Sequence, residues 1–262
     1  MIAVPRARRR SVSGIPPVVL GLIAVAWGLA LLVQVTGQGE RFHHGQLLQG
    51  GPPLWAALLL FQAAWQVHVA AMMLPSTLPL VRLFRASAAN QERPGAAMAA
   101  FLGGYGAVWG LFGAGALLGD AGVHRAVEAL PWLAERSWLI PAATLALAGG
   151  FQFSALKERC LTECRHPAGF LLQRYGRGAS AAFRLGVAHG RYCLGCCWAL
   201  MLVLFAVGVA NLWWMAPLML VMVYEKVGAR GTRITPVVGA GLLALAALAA
   251  DHPAWLSTVA GR

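Results

Sequence analysis

The chain has 262 residues, of which 59% are hydrophobic and 11% charged, and its formal net charge is +12. A soluble domain carries about 25% charged residues, so this composition excludes an ordinary water-soluble globule and indicates a polytopic membrane protein. The positive charge does not indicate a nucleic-acid partner, because the basic residues gather between apolar runs, as in the cytoplasmic loops of membrane proteins.

A membrane-spanning helix takes about 20 mostly apolar residues. The first candidate covers 15–35 and follows Arg6, Arg8, Arg9 and Arg10. No cleavage site follows it, so it reads as a retained helix rather than a removed signal peptide. The second covers 53–74 and contains "WQVHVAAMMLPS". On a helix, His68 and Met72 share one face, and Met73 follows. Methionines at such spacing also serve as core packing, but a polar group inside a span is costly and often functional. Pro75 is expected to break or kink the end of this helix.

The third candidate, 95–118, carries a small-residue seam of Gly103, Gly106, Gly110 and Gly113, which predicts close helix packing. The fourth covers 138–155. A long loop, about 156–191, follows, and its second half could lie at the membrane interface with its arginines reaching the headgroups. Its first half contains "KERCLTECRHP". Cys160 and Cys164 are placed to share a helix face, and the flanking Arg159 and Arg165 favour the thiolate, which is the metal-binding form.

The fifth candidate, 192–209, opens with "RYCLGCCWALM". Cys193, Cys196 and Cys197 crowd one short stretch, and His189 lies one helical turn before Cys193. Thiolates select soft metals such as Cu(I), as well as zinc and iron–sulfur clusters. There is no C-x-x-C-H run, so covalent c-type haem is not supported. The sixth candidate, 212–224, is joined to the fifth by a tight turn around Asn211 and ends at Glu225 and Lys226, which read as a boundary charge pair, with a role orienting the site as the alternative. The seventh covers 234–250.

Charge tests this order. Loops with Arg82, Arg85 and Arg93, with Lys157 to Arg184, and with Lys226, Arg230 and Arg233 alternate with loops that hold Glu40, Asp120, Glu128 and Glu135. The alternation places the N-terminus in the cytoplasm. The expected fold is all-α: a polytopic transmembrane helical bundle of about seven helices, with six as the alternative. It forms a single integral membrane domain over 1–262 with a cytoplasmic loop at about 156–191. Five cysteines is an odd count and none falls in an outer loop, which argues against an extracellular disulfide framework. In this topology the thiols, His68, His189, Met72 and Met73 can reach one layer near the inner surface.

The stretches "WQVHVAAMMLPS", "KERCLTECRHP", "GRYCLGCCWALM" and "NLWWMAPLMLVMVYEK", in this order, resemble the bacterial predicted metal-binding integral membrane proteins of domain of unknown function family 2182. The resemblance covers about 65–226. It implies Met72, Met73, Cys160, Cys164, Cys193, Cys196 and Cys197 as metal ligands, and a bacterial inner membrane location. Where the family pattern has a methionine between Trp65 and Met72, this chain has His68, a harder ligand that can still bind copper. Where the pattern has one just before Asn211, this chain has Ala210, which removes the support for a site near the outer face.

The expected function is soft-metal binding, with Cu(I) handled or delivered at the inner membrane and zinc as the alternative ion. The partners are the lipid bilayer, other membrane subunits or a metallochaperone. Two other functions fit the residues. One is an accessory subunit of a larger membrane complex. The other is a thiol–disulfide oxidoreductase that uses Cys193 and Cys196 with Cys160 and Cys164. Nothing in the sequence establishes an enzyme.

Overall fold

A computed structural model describes residues 14–37, 53–207 and 211–252. Arg6, Arg8, Arg9, Arg10, Glu40 and Ala210 lie outside the described residues. Among the described residues all regular structure is helical. In chain order the helices are α1 (Pro17–Val35), α2 (Leu54–Met72), α3 (Leu74–Ala88), α4 (Pro94–Ala129), α5 (Pro131–Ala134) and α6 (Leu139–Phe151). They continue with α7 (Ala155–Arg165), α8 (Pro167–Arg174), α9 (Ala179–Val207), α10 (Leu212–Val227) and α11 (Gly231–Asp251).

Four helices, α1, α4, α9 and α11, are long and apolar enough to cross a membrane, and the count rises to six if two bent pairs are each one span. Those pairs are α2 with α3, bent by 73°, and α6 with α7, bent by 64°. The expected sixth segment forms α10, which has 16 residues. At about 1.5 Å per residue it reaches about 24 Å, short of the ~30 Å hydrocarbon core. The six-helix alternative is therefore the upper count by length and composition.

The breaks have local causes. At the first, Pro75 lacks an N–H, and the Met73 carbonyl accepts hydrogen bonds from Ser76 Oγ at 2.8 Å and Thr77 Oγ1 at 3.1 Å. Pro75 also deprives the Ala71 carbonyl of its i+4 donor, and the Trp27 indole N–H donates to that carbonyl at 3.0 Å. At the second, Ser154 caps α7 by accepting from the Lys157 backbone N–H at 3.1 Å. The 156–191 stretch, expected to join two spans with its second half as an interfacial helix, contains α7, α8 and the first turns of α9, which continue unbroken into the cysteine stretch. Gly178, at φ +88°, turns the chain into α9 in a conformation that glycine tolerates best.

The core forms where α9 lies against α4, α7 and α6, while α6 packs on α11 and α2 on α1 and α4. Two glycines set the α4–α9 approach. A Cβ on Gly104 would lie 2.2 Å from the Phe183 carbonyl oxygen, and one on Gly186 would lie 2.0 Å from that of Phe101. The predicted seam contributes on another face. Gly106 and Gly110 accept hydrogen bonds at their carbonyls from Gln66 and Gln62, at 3.0 and 2.9 Å, and Gly113 makes room for the Trp65 indole. Gly103 faces open space. Leu111, Leu118 and Val237 are among the exposed apolar side chains.

Candidate metal centre

Helical spacing and the break before α7 together assemble the thiols. All five cysteines are free and buried. Cys196 is the hub, with its sulfur 3.5 Å from that of Cys197 and 4.0 Å from that of Cys164. Cys193 lies one turn back on the same helix. Cys160 rests on Gly195, where a Cβ would come within 2.4 Å of the Cys160 sulfur. The small residue inside "CLGCC" is thus the surface that lets α7 reach the cysteine helix. Two sulfurs sharing a metal at bonds of about 2.3 Å can be up to ~4.6 Å apart, so both contacts of Cys196 are within bridging range. Among the described residues no group of three His, Cys, Asp or Glu side chains is disposed to hold one metal ion. The thiols meet as pairs.

Two buried lysines flank the thiols. Lys157 Nζ donates to Glu225 Oε2 at 2.8 Å and to the Cys196 carbonyl at 3.1 Å. Lys226 Nζ lies 3.0 Å from Cys193 Sγ and donates to Ser76 Oγ at 3.0 Å. Tyr105 Oη is 3.0 Å from the same sulfur. Arg165, read from the sequence as a flanking cation for the thiols, instead donates to the Glu225 backbone carbonyl. The boundary pair Glu225–Lys226 therefore separates: each side chain has its own partner from another helix. Lys157 and Lys226 are the only lysines in the chain. That scarcity, beside 19 arginines among 21 basic residues, was the available sign that these two positions need a compact point charge.

The remaining candidates lie beside this cluster. Met72 and Met73 are fully buried at the α2–α3 break. The Met73 backbone connects to the thiols by a short relay: its carbonyl accepts from Ser76, Ser76 accepts from Lys226, and Lys226 contacts Cys193. His68 is buried against the Trp65 ring at 5.6 Å, and among the described residues its Nε2 has no hydrogen-bond partner. His189 is held among Phe101, Tyr105 and Phe170, with centroids 6.4, 5.7 and 5.5 Å away. The structure thus brings the five cysteines together, sets the Met73 backbone one relay away, and seats both histidines against aromatic rings.

A family model described as PpoB2, copper chaperone, matches residues 62–249. The chain belongs to this family. No curated protein and no solved structure matches the chain. The PpoB2 match spans α2 to α11 and so contains all five cysteines, both lysines, Met72, Met73, His68 and His189. It carries a copper description, where the motif resemblance implied only a metal.

Proposed function

We propose that this PpoB2-family protein binds Cu(I) at the buried thiol cluster and passes it on at the inner face of the bacterial inner membrane. The observation that carries the reading is the position of Cys196, whose sulfur is within metal-bridging range of both Cys197 and Cys164. Membership of a copper chaperone family supports copper as the cargo. Thiolate and thioether donors suit Cu(I) better than hard cations, and zinc is the competing ion. In this reading two thiols hold the ion, Cys196 with Cys197 or Cys164, Cys160 and Cys193 are the adjoining thiols, Met72 and Met73 are soft donors beside them, and His68 and His189 are the outer candidates. A soluble metallochaperone or another membrane subunit gives or takes the ion.

The proposed topology has the N-terminus in the cytoplasm and seven spans, the sixth of which, α10, is short and crosses a locally thinned bilayer. Exposed tryptophans support it. Trp55 at the start of α2, Trp132 after the end of α4 and Trp213 at the start of α10 are 67%, 53% and 82% exposed. Alternating spans put all three at one interface, where indole rings are enriched. The basic segments then fall on the opposite side, with the lysines and thiols nearer to it.

The test is anaerobic purification, measurement of bound metal, and the same measurement on Cys196→Ser and Cys164→Ser. Copper bound in the wild type and lost in both variants supports the reading. Metal-free protein with unreactive, reduced thiols sinks it and leaves an accessory subunit. A Cys164–Cys196 disulfide in the isolated protein favours thiol–disulfide exchange instead. Thiol labelling from the cytoplasmic side alone supports the topology, and labelling from outside overturns it.

A further inference from the structure

One buried charge at this site has no carboxylate partner. Lys157 is matched by Glu225. Lys226 is 5% exposed, and its ammonium hydrogen-bonds a hydroxyl and a thiol sulfur, Ser76 Oγ and Cys193 Sγ, each at 3.0 Å. Among the described residues no carboxylate stands within ion-pair distance of it. An unmatched charge inside a membrane protein is expensive, and such residues are retained for a function with an identifiable partner.

We propose that Lys226 is the fixed counter-charge of the thiol cluster and makes it selective for a monovalent soft cation over a divalent one. The proposal rests on the metal-binding reading above and adds what decides between ions. The thiols meet in pairs, with no three-ligand set ready for a single ion, so a bound ion takes two thiolates. A monovalent ion with two thiolates carries one negative charge, and the ammonium beside Cys193 makes the buried assembly neutral. A divalent ion on the same pair is already neutral, and the ammonium then leaves a net positive charge in a region of low dielectric. Neutral assemblies are favoured there, because every uncompensated charge gives up its hydration. The balance is the same whichever two thiols take the ion. Without the ammonium the charge balance favours the divalent ion instead, which lowers the preference.

The test uses the full chain in nanodiscs under anaerobic conditions. Cu(I) affinity is read by competition with a chromophoric Cu(I) chelator, and Zn(II) affinity by competition with a zinc chelator. The variants are Lys226→Gln, Lys226→Arg and Ser76→Asp. Ser76→Asp keeps all five thiols and the ammonium but gives the ammonium a carboxylate, so it reads the charge independently of whether Lys226→Gln folds. Lys226→Gln and Ser76→Asp are each expected to lower the Cu(I)-over-Zn(II) preference by about tenfold or more, while Lys226→Arg stays near the wild type. An unchanged preference in either folded variant, or an equal loss of both affinities, overturns the counter-charge alone. A wild-type chain that binds no Cu(I) through its cysteines overturns the metal-binding reading, and this proposal with it.

Discussion

Lys157 and Glu225, 68 residues apart in sequence, form a 2.8 Å ion pair in which each side chain is 1% exposed. The pair ties α7 to α10, and the bond from Lys157 to the Cys196 carbonyl ties both to the cysteine helix. Arg165 closes the same joint by donating to the Glu225 backbone. The ion pair thus holds the three helices that carry the thiols and Lys226 in one register.

Removing one member of that pair leaves the other charged, buried and alone, a loss of about 3–5 kcal/mol. Lys157→Met and Glu225→Gln are therefore expected to lower the unfolding temperature in detergent sharply. The double variant Lys157→Met/Glu225→Leu is expected to recover much of the loss, because no lone charge remains. Thermal unfolding of the four proteins checks this. Equal losses in single and double variants would show that the pair does not act as a unit.

Gly195→Ala places a methyl group 2.4 Å from the Cys160 sulfur. Either the Cys160 side chain turns away or α7 moves off α9, at a cost of about 1–3 kcal/mol, and the packing beside the Cys164–Cys196 contact loosens. Faster alkylation of Cys160 and weaker metal retention are the expected readouts. Adding Cys160→Ala to the variant removes the clashing sulfur, and the stability is expected to return.

The α4–α9 crossing gives a prediction with an internal control. Gly104→Ala and Gly186→Ala each drive a Cβ into the backbone of the facing helix and are expected to destabilise by about 1–3 kcal/mol or more. Gly103→Ala, next in sequence but facing open space, is expected to be neutral or to stabilise by up to about 1 kcal/mol through helix propensity. Chemical or thermal unfolding of the three variants separates the two cases.

Cu(I) is expected to raise the unfolding temperature, since a ligand at about 100 times its Kd contributes about 2.7 kcal/mol to the state that binds it. Cys196→Ser removes the hub sulfur and is expected to abolish the shift. Cys160→Ser, whose sulfur meets a glycine surface rather than a second thiol, is expected to keep most of it. A thermal scan with and without Cu(I), followed by chelation, measures both.

Much of this site was legible along the chain. Helical periodicity puts Cys160 over Cys164 and Cys193 over Cys197 on single faces, and the structure retains both helices. Pro75 marks the end of α2 within three residues. Lys226 was legible only together with Glu225, as a boundary charge pair or as a pair that orients the site, because neighbours in sequence are the natural reading for opposite charges. Adjacent residues on a helix point about 100° apart, and here that angle sends Glu225 to α7 and Lys226 to α9 and α3. Likewise Gly104 stood beside the predicted seam and outside it. Which face of α4 meets α9 depends on the partner helix rather than on the spacing of glycines.

The sequence by itself determined an all-helical membrane chain with its soft donors concentrated in three stretches, because hydropathy, charge alternation and helical spacing are local properties. Only the tertiary structure decided that Cys196 faces Cys164, that Cys160 rests on Gly195, and that Lys226 meets Cys193 without a carboxylate. Those relations depend on two bent helix junctions and on close crossings at glycine. Small changes in angle there move distant side chains by several ångströms, and spacing along the chain carries no record of them.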